Sequence, residues 1–99
     1  MKSIVNKKDV ENFLSHFKNV ADYDDDGKKY YFVFEDVTRN GDWTLMFYEI
    51  EDQWTIHGKG LNYCDLSETE FAKEELVNFL YKNRKYVNKE IKKKNIVLV

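Results

Sequence analysis

Proline is absent from all 99 residues, and cysteine occurs once, as Cys64. A chain without proline is expected to run through short connections, and a lone thiol closes no intramolecular disulfide and supplies no four-ligand zinc set. No apolar run reaches the roughly 18 residues of a membrane helix, and the opening MKSIVNKKDVENF holds none long enough for a signal peptide. These absences predict an intracellular, cytoplasmic protein without a membrane partner. Glycine is scarce as well, at four residues, and none of them builds a phosphate-cradling loop. There is also no G-x-S-x-G and no pair of histidines at metal-binding spacing. Arginine is confined to Arg39 and Arg84; lysine, asparagine, tyrosine and isoleucine are plentiful, the usage of an AT-rich genome.

What is present is a core and a divided charge. The 42% apolar, 16% aromatic and 34% charged content exceeds the apolar share of disordered chains and makes a charged surface. A chain this long makes one domain, burying roughly 60–70% of its unfolded surface. The net charge of -2 hides two halves. Residues 1–80 carry 9 Lys+Arg against 17 Asp+Glu, whereas residues 81–99 carry 7 against Glu90 alone. The acidic body repels nucleic acid; KNRKYVNKEIKKK would attract phosphates or an acidic surface, or serve as a solvated face that complements a helix dipole.

The periodicities predict an α+β domain of order αβββα, a three-stranded antiparallel sheet packed against two helices with a C-terminal basic helix or tail. Asn6 caps the first helix with Asp9 as a capping-box partner and Val5 stapled onto Val10, and Val10, Phe13, Leu14, Phe17 and Val20 repeat at helical spacing over 7–20. Strands are predicted over 29–38, 43–50 and 53–59. The second helix spans 67–83, with Ser67 as cap, Glu70 closing the box, Leu66 stapled onto Phe71, and Ala72, Leu76, Phe79 and Leu80 along its stripe. Residues 84–99 form the basic extension, with Val87 and Ile91 prolonging the stripe unless the helix breaks near Asn83.

Asn40-Gly41 is predicted to make a two-residue type I′ turn that pairs Arg39 with Asp42 and Phe34 with Phe47. With a second tight turn at Glu51-Asp52, Tyr30, Phe32, Phe34, Trp43, Leu45, Phe47, Trp54 and Ile56 share the core face. The opposite face carries Tyr31, Val33, Glu35 and Val37, then Thr44, Met46, Tyr48 and Ile50, then Thr55, His57 and Lys59. It is too apolar to be only solvated. Either the C-terminal segment with NIVLV packs over part of it or adds an edge strand, or it binds a partner. The candidate binding residues are Tyr31, Met46, Tyr48 and His57, with Glu35, Glu49, Glu51 and Asp52 as an acidic rim.

DYDDDGKKYYF places Asp22, Asp24, Asp26 and Gly27 at calcium-loop spacing. The twelfth position, which must be a bidentate glutamate, is Val33, and the exiting segment alternates like a strand where an EF-hand needs a helix. A solvated helix-to-strand turn is expected, with no metal and no cofactor. His16, His57 and Cys64 are the remaining reactive side chains. A Cys64–His57 dyad has no flanking signature of a nucleophile, and Cys64 reads as a small buried residue, so no enzymatic activity is expected.

In outline the order resembles a double-stranded RNA-binding domain, but SETEFAKEE stands where that family needs phosphate-clamping lysines. The acidic DYDDD and YEIED turns, the motif-free αβββα pattern and the AT-rich usage are instead similar to those of the small anti-CRISPR inhibitors of mobile elements. That resemblance implies stoichiometric binding to a CRISPR-associated, RNA-guided nuclease, by DNA mimicry or by wedging onto a nuclease domain; the basic C-terminus favours the wedge. The alternatives are a nucleic-acid-binding accessory protein that uses the basic segment and an immunity protein that neutralises a toxin.

Overall fold

The computed structural model describes residues 3–36, 41–58 and 68–96, with backbone alone at residues 36 and 68–70. Asn6 caps helix α1 (Lys7–Ser15): its side chain accepts from the Asp9 amide at 3.0 Å, and Asp9 accepts in return from the Asn6 amide at 3.3 Å. The expected staple differs. Val5 is 67% exposed and Ile4 is buried instead, because Asn88 holds the Ile4 backbone through bonds of 2.7 and 3.0 Å and turns that side chain inward.

The first helix is also not continuous over 7–20. It ends at Ser15, and a single turn, α2 (Phe17–Val20), follows after His16. Ser15 Oγ donates to the Asn12 carbonyl at 2.7 Å while the His16 amide reaches the same oxygen at 3.2 Å, a side-chain competition that bends helices. Asn83 repeats the device between α3 (Lys73–Lys82) and α4 (Arg84–Lys93): its side chain and its amide both donate to the Phe79 carbonyl, at 2.9 and 3.0 Å. The chain bends there without losing its apolar stripe, so Leu76, Val77 and Leu80 of α3 and Val87 and Ile91 of α4 are all buried. Residues 84–93 therefore form a basic helix that carries the expected stripe of Val87 and Ile91 into the core. Glu90 is buried with them, and its Oε2 has no hydrogen-bond partner among the described residues.

The fold is α+β, and its sheet has five strands rather than three, β1 (Asp22–Asp24), β2 (Lys29–Asp36), β3 (Gly41–Tyr48), β4 (Gln53–Gly58) and β5 (Glu68–Phe71), paired antiparallel in chain order. The two extra strands also remove the outline of a double-stranded RNA-binding domain. β5 replaces the first turn of the predicted second helix. Its backbone pairs with β4 from Trp54↔Phe71 to His57↔Glu68, and Phe71 packs on Phe79 with centroids 5.3 Å apart. Helix α3 then starts after Ala72, which makes no side-chain cap. Ser67 and Leu66, the expected cap and staple, lie outside the described residues, as do Val37, Arg39, Asn40, Lys59, Cys64 and the closing Val97–Val99.

Both hairpin registers differ from expectation by an even number of residues. Phe34 lies opposite Trp43, not Phe47, and Gly41 is the first residue of β3 rather than a turn position. Tyr48 pairs with Gln53, so the second turn spans Glu49–Asp52, with Asp52 in the left-handed region at φ 52°. The observed register sets Phe34 on Trp43, Phe32 on Leu45 and Tyr30 on Phe47; the expected one would have put Phe32 opposite Glu49 and Tyr30 opposite Glu51. Apolar cross-strand pairs outweigh the local turn signal. An even shift keeps every side chain on its side, so the core face is as expected. Phe32, Phe34, Trp43, Leu45, Phe47 and Ile56 are buried in one cluster with α1, α2, α3 and α4, and Tyr30 and Trp54 pack against it. Among the described residues no helix is long and apolar enough to cross a membrane.

Candidate protein-binding face

The helices join their apolar stripes to one side of the sheet, which leaves the other side to be built from cross-strand rows. Asp22, Tyr31, Met46 and Thr55 form one row, Asp24, Lys29, Tyr48 and Gln53 the next, and Val33, Thr44 and His57 the third. Thr55 and His57 have Glu70 and Glu68 as their register partners on β5. Tyr31, Thr44, Tyr48, Gln53 and His57 are half-exposed, while Met46 is 5% exposed and forms the floor. Tyr48 donates its hydroxyl to Met46 Sδ at 3.8 Å. Asp24, Lys29, Tyr31, Thr44, Met46 and His57 surround a shallow hollow of about 200 Å³. Beneath the face, His57 Nε2 and Thr55 Oγ1 are buried without a hydrogen-bond partner among the described residues.

The acidic stretches, some 25 residues apart in sequence, meet in space. Because Lys29 pairs with Tyr48 and Tyr48 with Gln53, the β1–β2 turn and the β3–β4 turn project from the same end of the sheet. The Glu49 amide donates to the Lys28 carbonyl at 2.9 Å and ties them together. Asp24, Asp25, Asp26, Glu49, Glu51 and Asp52 thus crowd one end. Lys28 compensates Asp25 at 3.1 Å and Lys29 compensates Asp24 at 3.6 Å. Ile50, 74% exposed, stands at the tip among them. Desolvation, then a hydrogen bond to Glu49 and the charges of Glu49 and Tyr23, raise the Tyr30 hydroxyl above its ordinary range, so at neutral pH it remains a donor beside this cluster.

The calcium-like stretch is a β-hairpin, not a helix-to-strand turn. Asp24 accepts from the Asp26 amide at 3.1 Å, an Asx turn that points its carboxylate back at the backbone. Among the described residues no group of three or more His, Cys, Asp or Glu is arranged to hold a metal ion.

Of the residues expected to bind a partner, Tyr31, Met46, Tyr48 and His57 share the outer face. Glu49, Glu51 and Asp52 stand together in the exposed turn that Tyr48 leads into. Glu35 is elsewhere. It lies at the opposite end of β2, where Lys89 and Lys93 approach its Oε2 at 3.7 and 3.6 Å. Asp24 and Lys29 belong to the hollow and were not expected there, because β1 was not. The signal for β1 was Asp26-Gly27 between Tyr23 and Tyr30, a hairpin dipeptide flanked by alternating residues. The C-terminal helix borders this face rather than covering it: Lys94 Nζ sits 3.8 Å from the Phe32 ring centroid and 3.5 Å from the Val33 carbonyl.

No family model, curated protein or solved structure matches this chain.

Proposed function

We propose that this protein is a stoichiometric inhibitor that works by binding, wedging its acidic end and the adjoining tyrosine strip against the basic surface of a nuclease domain. The observation that carries the proposal is the convergence of two sequence-distant acidic turns around the exposed Ile50, directly beside Tyr48. Carboxylates at a rim raise the rate of encounter with a cationic surface, and tyrosines in a half-exposed strip hold the complex once formed. The resemblance to small anti-CRISPR inhibitors supplies the partner class, an RNA-guided CRISPR nuclease. Binding without chemistry suits a face that, among the described residues, offers hydrogen bonds and apolar area but no assembled nucleophile and base. The reading in which the basic segment grips nucleic acid is weakened by its own contacts, since Lys89 and Lys93 face Glu35 and Lys94 the Val33 carbonyl.

Co-purification with a panel of RNA-guided nucleases, followed by titration of DNA cleavage, tests this. The expected result is a stable complex and cleavage that falls to zero at an equimolar ratio. Absence of any complex, or a shifted oligonucleotide whose affinity collapses with salt, would overturn it.

A further inference from the structure

Beside the acidic end, on the helical side of the sheet, lies a groove of about 470 Å³ bounded by α1, the β3–β4 turn, and the junction of β5 with α3. Its apolar wall is the half-buried Trp54 with Leu14 and Phe71. The Trp54 ring is fixed from behind by Phe17, with centroids 5.0 Å apart at 68°, and by Phe47 at 4.7 Å. Phe71 is braced by Phe79. The rim carries the exposed carboxylates of Glu11 and Asp52, with Lys73 as the one cation lining it among the described residues. Helix α3 opens here, but its first turn holds Glu74 and Glu75, which offset the attraction of a helix N-terminus for anions.

We infer that this groove is the receptor for an arginine side chain of the partner. A planar guanidinium stacks on an indole and pairs with carboxylates in a way that an ammonium does not, while the aliphatic stem of arginine suits the Leu14 and Phe71 surface. A second copy of this chain paired symmetrically is a poor occupant, because it would bring its own acidic end against Glu11, Asp52 and the neighbouring turn. The inference rests on the proposal that the protein binds a protein surface, and it names the chemistry of one anchor.

The test needs no partner. In ¹H–¹⁵N spectra the two indole N–H signals are separable by a Trp54→Phe variant, and Trp43 is an internal reference because it is buried. Titration with Ac-Gly-Arg-Gly-NH₂ should move the Trp54 signal saturably, with a dissociation constant of about 1–10 mM, and leave Trp43 still. The citrulline peptide, isosteric but neutral, should bind at least about fivefold more weakly, and Glu11→Gln with Asp52→Asn should weaken the arginine peptide by a similar factor. Equal binding of both peptides, or no movement of the Trp54 signal by about 50 mM peptide, overturns the inference. An unmoved Trp54 signal beside an intact nuclease complex removes this groove alone. A saturable arginine response without any nuclease complex removes the proposed partner and keeps the groove.

Discussion

Replacing Gly58 by alanine should be among the costliest single-methyl changes in this protein. Gly58 closes β4 opposite Trp43, and a Cβ there would lie 2.5 Å from Trp43 Cβ, 2.9 Å from Trp43 Cα and 3.3 Å from the Asp42 carbonyl oxygen. Carbon atoms in contact sit about 3.5–4.0 Å apart, so the two strands must part by roughly 1 Å. The neighbour cannot swing away. Trp43 is stacked on Phe34 at 4.2 Å and abuts Phe79 at 5.4 Å, and two of the three close atoms are backbone. Overpacking of a rigid site costs about 1–3 kcal/mol, and the absence of a flexible neighbour puts this case near 3 kcal/mol, out of about 5–15 for a whole domain. At 4–8 °C per kcal/mol the melting temperature should fall by about 12–24 °C. Gly27→Ala is the control: its Cβ would meet only the flexible Lys29 side chain, nearest at 3.3 Å, so stability should hold or rise by up to about 1 kcal/mol. Urea titration followed by circular dichroism measures both. A Gly58→Ala protein within about 0.5 kcal/mol of the parent would refute the Trp43↔Gly58 register and the strand order built on it.

Ile91→Ala should cost about 2–5 kcal/mol, because Ile91 is buried in the core cluster; a loss within about 0.5 kcal/mol would return the C-terminal segment to a solvated tail. Glu90→Met should raise stability by about 1–3 kcal/mol, since it removes a buried carboxylate oxygen that has no partner among the described residues and keeps the side chain's length, and a lowered melting temperature would show that the carboxylate is satisfied. In the proposed nuclease complex, Tyr48→Ala should speed dissociation about tenfold, and charge reversal at Glu51 should slow association in a way that high salt abolishes; surface plasmon resonance at two ionic strengths separates the two effects.

The sides of the sheet were legible in the sequence because side-chain parity survives errors of register. A register shifted by two or four residues moves every partner yet leaves Phe32, Leu45 and Ile56 inside and Tyr31, Met46 and His57 outside. The register itself was not legible from Asn40-Gly41. A local turn preference is small beside the stacking of Phe34 on Trp43, which only the folded sheet brings about. β5 was hidden for a related reason. S-x-x-E before an apolar run is a helix-start signature worth about 1 kcal/mol, and four backbone pairs with β4 together with Phe71 against Phe79 override it. The convergence of the acidic turns depended on β1, and β1 was read as part of a loop because its three residues are two aspartates around one tyrosine.

Charge bears on where the proposed partner would meet this protein. β1 reaches only as far as Tyr31, so among the described residues β2 beyond it has no strand on that side, and an open strand edge invites unwanted pairing. α4 lies along this stretch. Lys89 and Lys93 straddle Glu35, and Lys94 caps the Val33 carbonyl and covers the Phe32 ring. Three of the seven cations in residues 81–99 are thereby turned onto the sheet. Arg84 is held on the Tyr81 ring at 4.5 Å and donates to the Tyr81 carbonyl at 3.0 Å. At the acidic end four of the six carboxylates, Asp26, Glu49, Glu51 and Asp52, form no salt bridge with a described cation. An unbalanced negative field therefore sits at the tips of the two turns. A basic surface approaching along that field would arrive at the end of the sheet that carries Ile50 and adjoins Tyr48.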